Sequence, residues 1–367
     1  MTLQGGAEML INRFATFAHA LRGHLRGIRF EGIERSVGRR NLATVLRAEY
    51  GPHVAIAVER LLAKHSPFGA ERKNLSELAA EIRASYADGR LSAEGRAVEV
   101  SVIVPVYNAR HLTLCCLESL LSHKSRLEFE VLIADDGSSD GTVELLRSFG
   151  AGVRVVGNAG RKGFVGNCNH AATSAGGRFL VFLNNDTIVL PGWLDELVAA
   201  LRDGADIGLV GSRMISLNGK LQEAGSFVFA NGRTARYGSK DDPTKEIYNR
   251  SRDTDFVSGA SIAIAAHIWR ELGGFDERFS PGYYEDVDLA FRVRRRGCRV
   301  VYCPKSTVIH FGKLSFGASA QDVAAASRQT FVEKWASELR LRPAWPGKND
   351  KGLVNEIITG RELQSTL

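Results

Sequence analysis

The chain has 367 residues, 44% hydrophobic and 24% charged, with a net charge of +7; this balance is ordinary for a soluble globular protein. No run of about eighteen apolar residues occurs, so no membrane-spanning helix is expected. Five cysteines, an odd number with no CxxC pair, argue against a disulfide scaffold or a zinc site and fit a reducing cytoplasm.

Residues 1–97 read as helical. Leu10, Phe14, Phe17, Leu21, Leu25 and Ile28 recur at spacings of three and four and form one apolar stripe. Further helices are predicted over 41–64 and 74–87. The first 47 residues carry eight arginines against three glutamates, which is most of the chain's positive excess. Two readings stand for the stretch 8–29: a peripheral membrane helix with its arginines toward anionic lipid, or a helix packed on the rest of the protein. The start, MTLQGGAEMLINRF, lacks a basic segment followed by an apolar block, so no secretory signal is expected. The small polar stretch ADGRLSAEGRA, 87–97, is the predicted linker.

At residue 98 the texture changes. VEVSVIVPVYN, FEVLIADDGSSDGT, VRVVGN, RFLVFLNNDT and IGLVGS are β-branched or apolar runs, and helical patterns at 110–122, 141–148, 164–175 and 191–202 fall between them. Strands alternating with helices predict a mostly parallel, doubly wound sheet covered on both faces. Residues 212–252 are glycine-rich and polar. A strand over 255–265, helices over 267–272 and 284–296, and two short strands over 299–303 and 307–310 complete the domain. A helix is expected over 320–336. The expected organisation is a helical region 1–97, an α/β domain 98–318, and a C-terminal helix and tail 319–367.

In an open parallel sheet, ligands bind beyond the carboxyl ends of the strands. Three strands deliver polar clusters there: Pro105, Tyr107 and Asn108; Asp135, Asp136, Gly137 and Ser138; and Asn184, Asn185 and Asp186. Each alone reads as turn or cap chemistry. Three on one edge read as a site. A further group, Glu285, Asp286 and Asp288, falls in the first turn of a predicted helix. There the acids either meet the helix dipole or supply a base whose pKa is raised by crowding.

The segments VSVIVPVYN, VLIADDGSSDGT, FLNNDT and GGFDERFSPGYYEDVDLAFRVRRRGCRVVYCPKSTVIH resemble the successive signatures of family 2 glycosyltransferases. The likeness is to the bacterial rhamnosyltransferase-like enzymes of surface polysaccharide synthesis, and it runs from about residue 98 to 316. It implies a GT-A fold, a nucleotide-sugar donor, a divalent metal (Mn2+ or Mg2+), a glycan or lipid-linked glycan acceptor, and inversion at the anomeric carbon. It further implies that Tyr107 stacks on a pyrimidine, Asp136 accepts its N3–H, Pro105 shapes the pocket with Asn108 beside it, and Asn185 faces the ribose. Asp186 would reach the metal. Asn184 departs from the pattern, since many relatives carry Asp there, and an amide is a weaker cation ligand. Asp286 would be the catalytic base, with Glu285 beside it in the acceptor site.

Other positions are less specific. His310 is either a strand-end core histidine or faces the metal and diphosphate. Arg161, Lys162 and Lys313 can meet phosphate or be solvated. Gly259 would admit the donor sugar to the backbone, and Asn169 would brace the glycine-rich loop before it. Trp193 lines the acceptor side or the core. Arg292, Arg294, Arg295 and Arg296 read as a solvated helix face. The expected activity is metal-dependent, inverting sugar transfer in the cytoplasm, with a non-catalytic nucleotide-sugar-binding scaffold as the alternative. No nucleic-acid-binding module is recognisable.

Overall fold

A computed structural model describes residues 42–52, 54–58, 79, 80, 82, 98–122, 125–149, 152–158, 160–312 and 320–347. The stretch 8–29 and Lys313 lie outside them.

The central sheet has ten strands among the described residues. Strand β1 (Val100–Val106) pairs in parallel with β2 (Phe129–Asp135) and β4 (Phe179–Leu183), and β2 with β3 (Val153–Gly157). The short β5 (Thr187–Val189) leads to β6 (Ile207–Ile215). Strand β11 (Ser261–Ala265) inserts antiparallel between β4 and β6, and β12 (Arg299–His310) runs parallel to β6 on its other side. Between β6 and β11 lie the short strands β7 (Leu221–Glu223), β8 (Ser226–Val228), β9 (Thr234–Arg236) and β10 (Arg252–Asp253).

Alternation along the strands divides the core. Val100, Val102 and Val104 of β1, Val131 and Ile133 of β2, and Val181 and Leu183 of β4 face one side. There they meet helices α2 (Arg110–Leu121), α3 (Thr142–Arg147) and α5 (Trp193–Arg202). Ile103, Leu132, Ala134, Leu180 and Phe182 face the other side, against α4 (Gly163–Ala172), α6 (Ala266–Leu272) and α7 (Glu285–Arg295). A period of two on strands buried on both faces is the doubly wound pattern. Pro105 is tolerated in this central strand because the β4 pairing ends at Ile103 opposite Phe182, so its missing N–H falls beyond that ladder.

Helix α1 (Leu42–Tyr50) lays Leu42, Val45 and Leu46 against Cys115, Ile188, Ile215 and Ile309. Its last turn carries Glu49, which forms a two-pronged pair with the buried Arg213 of β6 (Nη2 to Oε2, 2.6 Å); Arg213 also donates to Tyr50 and Asn249. Helix α8 (Ala320–Lys334) and the short α9 (Ala336–Leu339) cover α7 through Phe331 and Trp335.

Three expectations about elements need correction. The strand expected over 255–265 begins only at Ser261, since the amides of Ser258, Gly259 and Ala260 before it are held by side chains rather than by a neighbouring strand. The two short strands over 299–310 are one strand with a register shift between Cys303 and Thr307, where Pro304 lacks an N–H. Arg292 is not solvated: it bonds Asp288 at 2.7 Å and the carbonyls of Leu272 and Gly274. Asp288 is wholly buried and also takes Trp335 Nε1 and Lys334, which makes it structural. Trp193 is likewise in the core, its Nε1 donating to Ser261 at 2.8 Å.

Candidate active site

The parallel strands end on one edge, and the polar residues gather there. After β1, Asn108 adopts a left-handed backbone (φ 57°) that turns the chain into α2, and its Oδ1 accepts Ser139 N–H at 2.8 Å. Tyr107 is 41% exposed, so one ring face is open for stacking, and the Arg161 guanidinium lies 3.8 Å from the ring centroid. Asp135 is a turn residue whose carboxylate accepts the amides of Gly137 and Ser138. Asp136 is 4% exposed and accepts Lys162 N–H (2.6 Å), Gly163 N–H (3.0 Å) and Asn158 Nδ2 (3.2 Å), with Arg161 Nε at 3.7 Å. Most of its acceptor capacity thus binds the Arg161–Gly163 loop rather than facing outward, and Lys162 meets it through its backbone. That loop needs glycine at 163: φ is +71°, and a Cβ would lie 2.7 Å from Pro281.

After β4, Asn185 Nδ2 donates to Thr113 at 3.0 Å, tying the strand end to α2. Asp186 is 3% exposed. Strand β12 pairs antiparallel with β5, setting His310 opposite Thr187, and this brings His310 Nε2 to 3.3 Å from Asp186 Oδ1. His310 Nδ1 lies 2.9 Å from Gln222 Oε1 on β7. The buried Asp186 Oδ1 and Asn184 Oδ1 have no hydrogen-bond donor among the described residues. Buried acceptors are rarely left so, and two at one strand end mark a place for an outside partner. The oxygen donors suit Mn2+ or Mg2+. No group of three or more His, Cys, Asp or Glu side chains able to hold a metal occurs among the described residues, so the remaining ligands would come from elsewhere.

The acid pair of α7 lies next to this edge. Asn184 N–H donates to Ala260 O at 2.9 Å, and the neighbouring Gly259 N–H donates to Asp286 Oδ2 at 2.9 Å. One peptide therefore separates the Asp186 strand end from Asp286. Tyr283 and Tyr284 both have positive φ (68° and 67°), an uncommon conformation for bulky residues that aims the start of α7 at the site. Tyr284 is held by its hydroxyl on Gly232 O at 2.8 Å, and Gly282 O by Ser327. Glu285 is 7% exposed and its Oε2 has no partner among the described residues.

Burial, and then the charge of Asp286, pushes the Glu285 pKa well above the usual carboxylate range. Burial also raises Asp286, but the Gly259 and Val287 amides and Arg236 hold it back. Of the pair, Glu285 therefore keeps its proton to the higher pH. A Glu223 carboxyl on β7, also raised by burial, accepts Ser258 N–H at 3.0 Å and meets Arg236 at 3.5 Å.

A pH prediction follows. A carboxyl whose folded pKa is raised binds its proton more tightly in the native state, so stability falls as pH rises above the ordinary carboxylate range. Glu285→Gln removes this term. It is expected to stabilise the protein by about 1 kcal/mol at pH 8 and to give no gain at pH 4, as read by urea unfolding.

The edge thus brings together Tyr107, Asn108, Asp136, Asn185, Asp186 and His310, with Gly259 and the acids Glu285 and Asp286 beside them. Pro105 sits within β1, fully buried. A Cβ at Gly259 would make only ordinary contacts, 3.5 Å to Asp286 Cβ, so the protein itself does not require glycine there. Asn169 braces a different loop from the one expected, exchanging hydrogen bonds with both the N–H and the carbonyl of Phe275. Gln222, Glu223 and Arg236 were not visible from sequence. They lie in 212–252, where no motif or periodicity marks them, and only the buried acid in LQEAG offered a signal.

Residues 101–261 match the glycosyl transferase family 2 profile. The chain is 30% identical over 269 residues to the O-antigen biosynthesis protein RfbC of Myxococcus xanthus, covering 71% of this chain and 20% of that protein. It is 25% identical over 240 residues to the N-acetylglucosaminyl-diphospho-decaprenol L-rhamnosyltransferase of Mycobacterium tuberculosis, covering 58% of this chain and 76% of that one. This chain thus spans about a fifth of the length of the Myxococcus relative. Among solved structures, GalNAc-T7 with UDP, GalNAc and Mn2+ superposes with a TM-score of 0.56 at 17% identity, over 67% of this chain and 50% of that one. The sheet order, the edge described above and these likenesses agree: the chain carries a glycosyl transferase family 2 domain, built on the GT-A fold.

Proposed function

We propose that this protein is an inverting glycosyltransferase that moves a sugar from a UDP- or dTDP-sugar to a hydroxyl of a growing glycan in bacterial surface polysaccharide synthesis. One observation carries the reading. Asn184 N–H, on the strand end that carries Asp186, binds Ala260 O, and Gly259 N–H of the same short segment binds Asp286 Oδ2, so the pair proposed to hold a diphosphate and the proposed base are tied to the same loop. The relatives named for O-antigen synthesis and rhamnosyl transfer support the polysaccharide setting.

In this reading Tyr107 stacks on the base, and Arg161 and Lys162 stand beside the diphosphate. Asp136 holds their loop in place and keeps one remaining lone-pair direction for the base. Asn185 faces the ribose. Asp186 and His310 would hold a divalent cation, which would supply positive charge against the departing diphosphate. Asn184 adds only an amide oxygen. Asp286, ionised and aimed by Gly259 N–H, takes the proton from the acceptor hydroxyl as that oxygen attacks C1, and the nucleoside diphosphate leaves from the opposite face. The step is a single displacement, which inverts the carbon. Glu285, carrying its proton, can donate to an acceptor oxygen. The acceptor is a glycan or a lipid-linked glycan at the cytoplasmic face of the membrane. Among the described residues no helix is long and apolar enough to cross a membrane.

The test is donor turnover. The protein is incubated with UDP-, dTDP- and GDP-sugars, with and without Mn2+, and nucleoside diphosphate release is followed. Slow Mn2+-dependent hydrolysis of one donor is expected. Tight donor binding without release, even with acceptor glycans present, would instead favour a nucleotide-sugar-binding scaffold.

A further inference from the structure

The Asp186–His310 pair poses a problem that the chain must solve. In a neutral imidazole one ring nitrogen carries the proton and the other presents a lone pair. Which one faces Asp186 depends on what the far nitrogen touches. Here that neighbour is the Gln222 amide, with Oε1 at 2.9 Å from Nδ1. A carbonyl oxygen in that place accepts Nδ1–H and leaves the Nε2 lone pair pointing at Asp186 Oδ1, 3.3 Å away. Two acceptors then face each other with nothing between them, and Asp186 Oδ1 has no other partner among the described residues. A cation between them, or a second proton on the ring, removes this repulsion.

The backbone shows how Gln222 reaches this place. Strands β6 and β7 pair Ile215 with Leu221 but Met214 with Glu223. The register slips by one residue, and Gln222 is the unpaired extra residue of a bulge. Bulges re-aim a side chain that regular alternation would send elsewhere. The two residues on either side, Leu221 and Glu223, are both buried, while Gln222 is partly exposed and turned to the histidine.

We propose that Gln222 is a positioning residue that sets His310 in its Nδ1–H tautomer and aims Nε2 with Asp186 at a divalent cation. The inference rests on the glycosyltransferase reading for the use of that cation, and on this geometry alone for the role of Gln222. The amide side chain suits the task because it can also turn over. With no cation present, its NH2 can donate to Nδ1 while Nε2–H bonds Asp186, so the pair avoids repulsion in either state. A carboxylate at 222 can only accept, and leucine can do neither.

The experiment compares wild type with Gln222→Glu, Gln222→Leu and Asp186→Asn, each as the full chain. Mn2+ binding is measured by electron paramagnetic resonance with and without UDP. Histidine ring tautomers are read from 15N-labelled protein at saturating Mg2+. Gln222→Leu is expected to weaken Mn2+ by about 10- to 100-fold, the usual effect of losing a partner behind a ligand. Gln222→Glu should restore wild-type affinity or better. With Mg2+ bound, the His310 ring of wild type should carry its proton on Nδ1, and Gln222→Leu should lose that preference with its unfolding midpoint little changed. The proposal is overturned if Gln222→Leu binds Mn2+ as wild type does, or if His310 is Nε2-protonated with Mg2+ bound. If Asp186→Asn loses Mn2+ while Gln222→Leu does not, only this inference falls. If neither change affects Mn2+, the cation site itself is misplaced and the metal-dependent reading falls with it.

Discussion

Asp286→Asn is expected to slow sugar transfer by about 10²- to 10⁴-fold, the contribution of a positioned general base, while UDP affinity stays within about threefold. The reason is in its contacts. Oδ2 accepts Gly259 N–H and Oδ1 accepts Val287 N–H, so the carboxylate is fixed in place, and an amide of the same shape can keep one of those bonds. What an amide cannot do is take a proton. Single-turnover assays with donor and acceptor, alongside calorimetric titration of UDP, separate the two effects. A variant that retains turnover would move the base elsewhere, and Glu285 would be the next residue to change.

The second large effect is expected at Asp186. Asp186→Asn should weaken Mn2+-dependent binding of the donor on the order of 100-fold, since an amide oxygen is a poorer ligand for a hard cation than a carboxylate. Binding measured without divalent ions should change little, because Tyr107 and the Arg161–Gly163 loop lie at other strand ends. Titration of the UDP-sugar in Mn2+ and in EDTA provides the comparison. Equal losses in both conditions would mean that Asp186 supports the fold of the strand end rather than a cation. Its carboxylate lies 3.3 Å from His310 Nε2, and a pair that merely braced the strand end against β12 would give that outcome.

The sheet was legible because its strands are buried on both faces and read as unbroken apolar runs. The polar edge was legible because each run ends in a cluster of turn-forming polar residues. Residues 212–260 were not legible for a physical reason. There the strands after β6 are only two or three residues long, too short to show a period, and the loops between them lean on single side chains such as Glu223 on Ser258 and Asp255 on Val228. The same applies to His310: its residue type admitted two readings, and only the pairing of β12 with β5 sets it against Asp186. Arg292 misled in the opposite direction. A run of arginines near a helix end reads as solvated, yet one of them has carbonyls on the neighbouring turn to bind.

The pair between Glu49 and Arg213 reaches further than its place behind the sheet suggests. The family likeness starts near residue 101, and a protein trimmed to that point would seem complete. It would leave a guanidinium, 4% exposed at its side chain, without its carboxylate, and would bare Ile188, Ile215 and Ile309 to water. Arg213 adjoins Met214, which pairs with Glu223 next to Gln222. The wall behind the histidine is thus built partly by chain that precedes the matched region, and the smallest unit that keeps this edge intact is larger than the smallest unit that resembles the family.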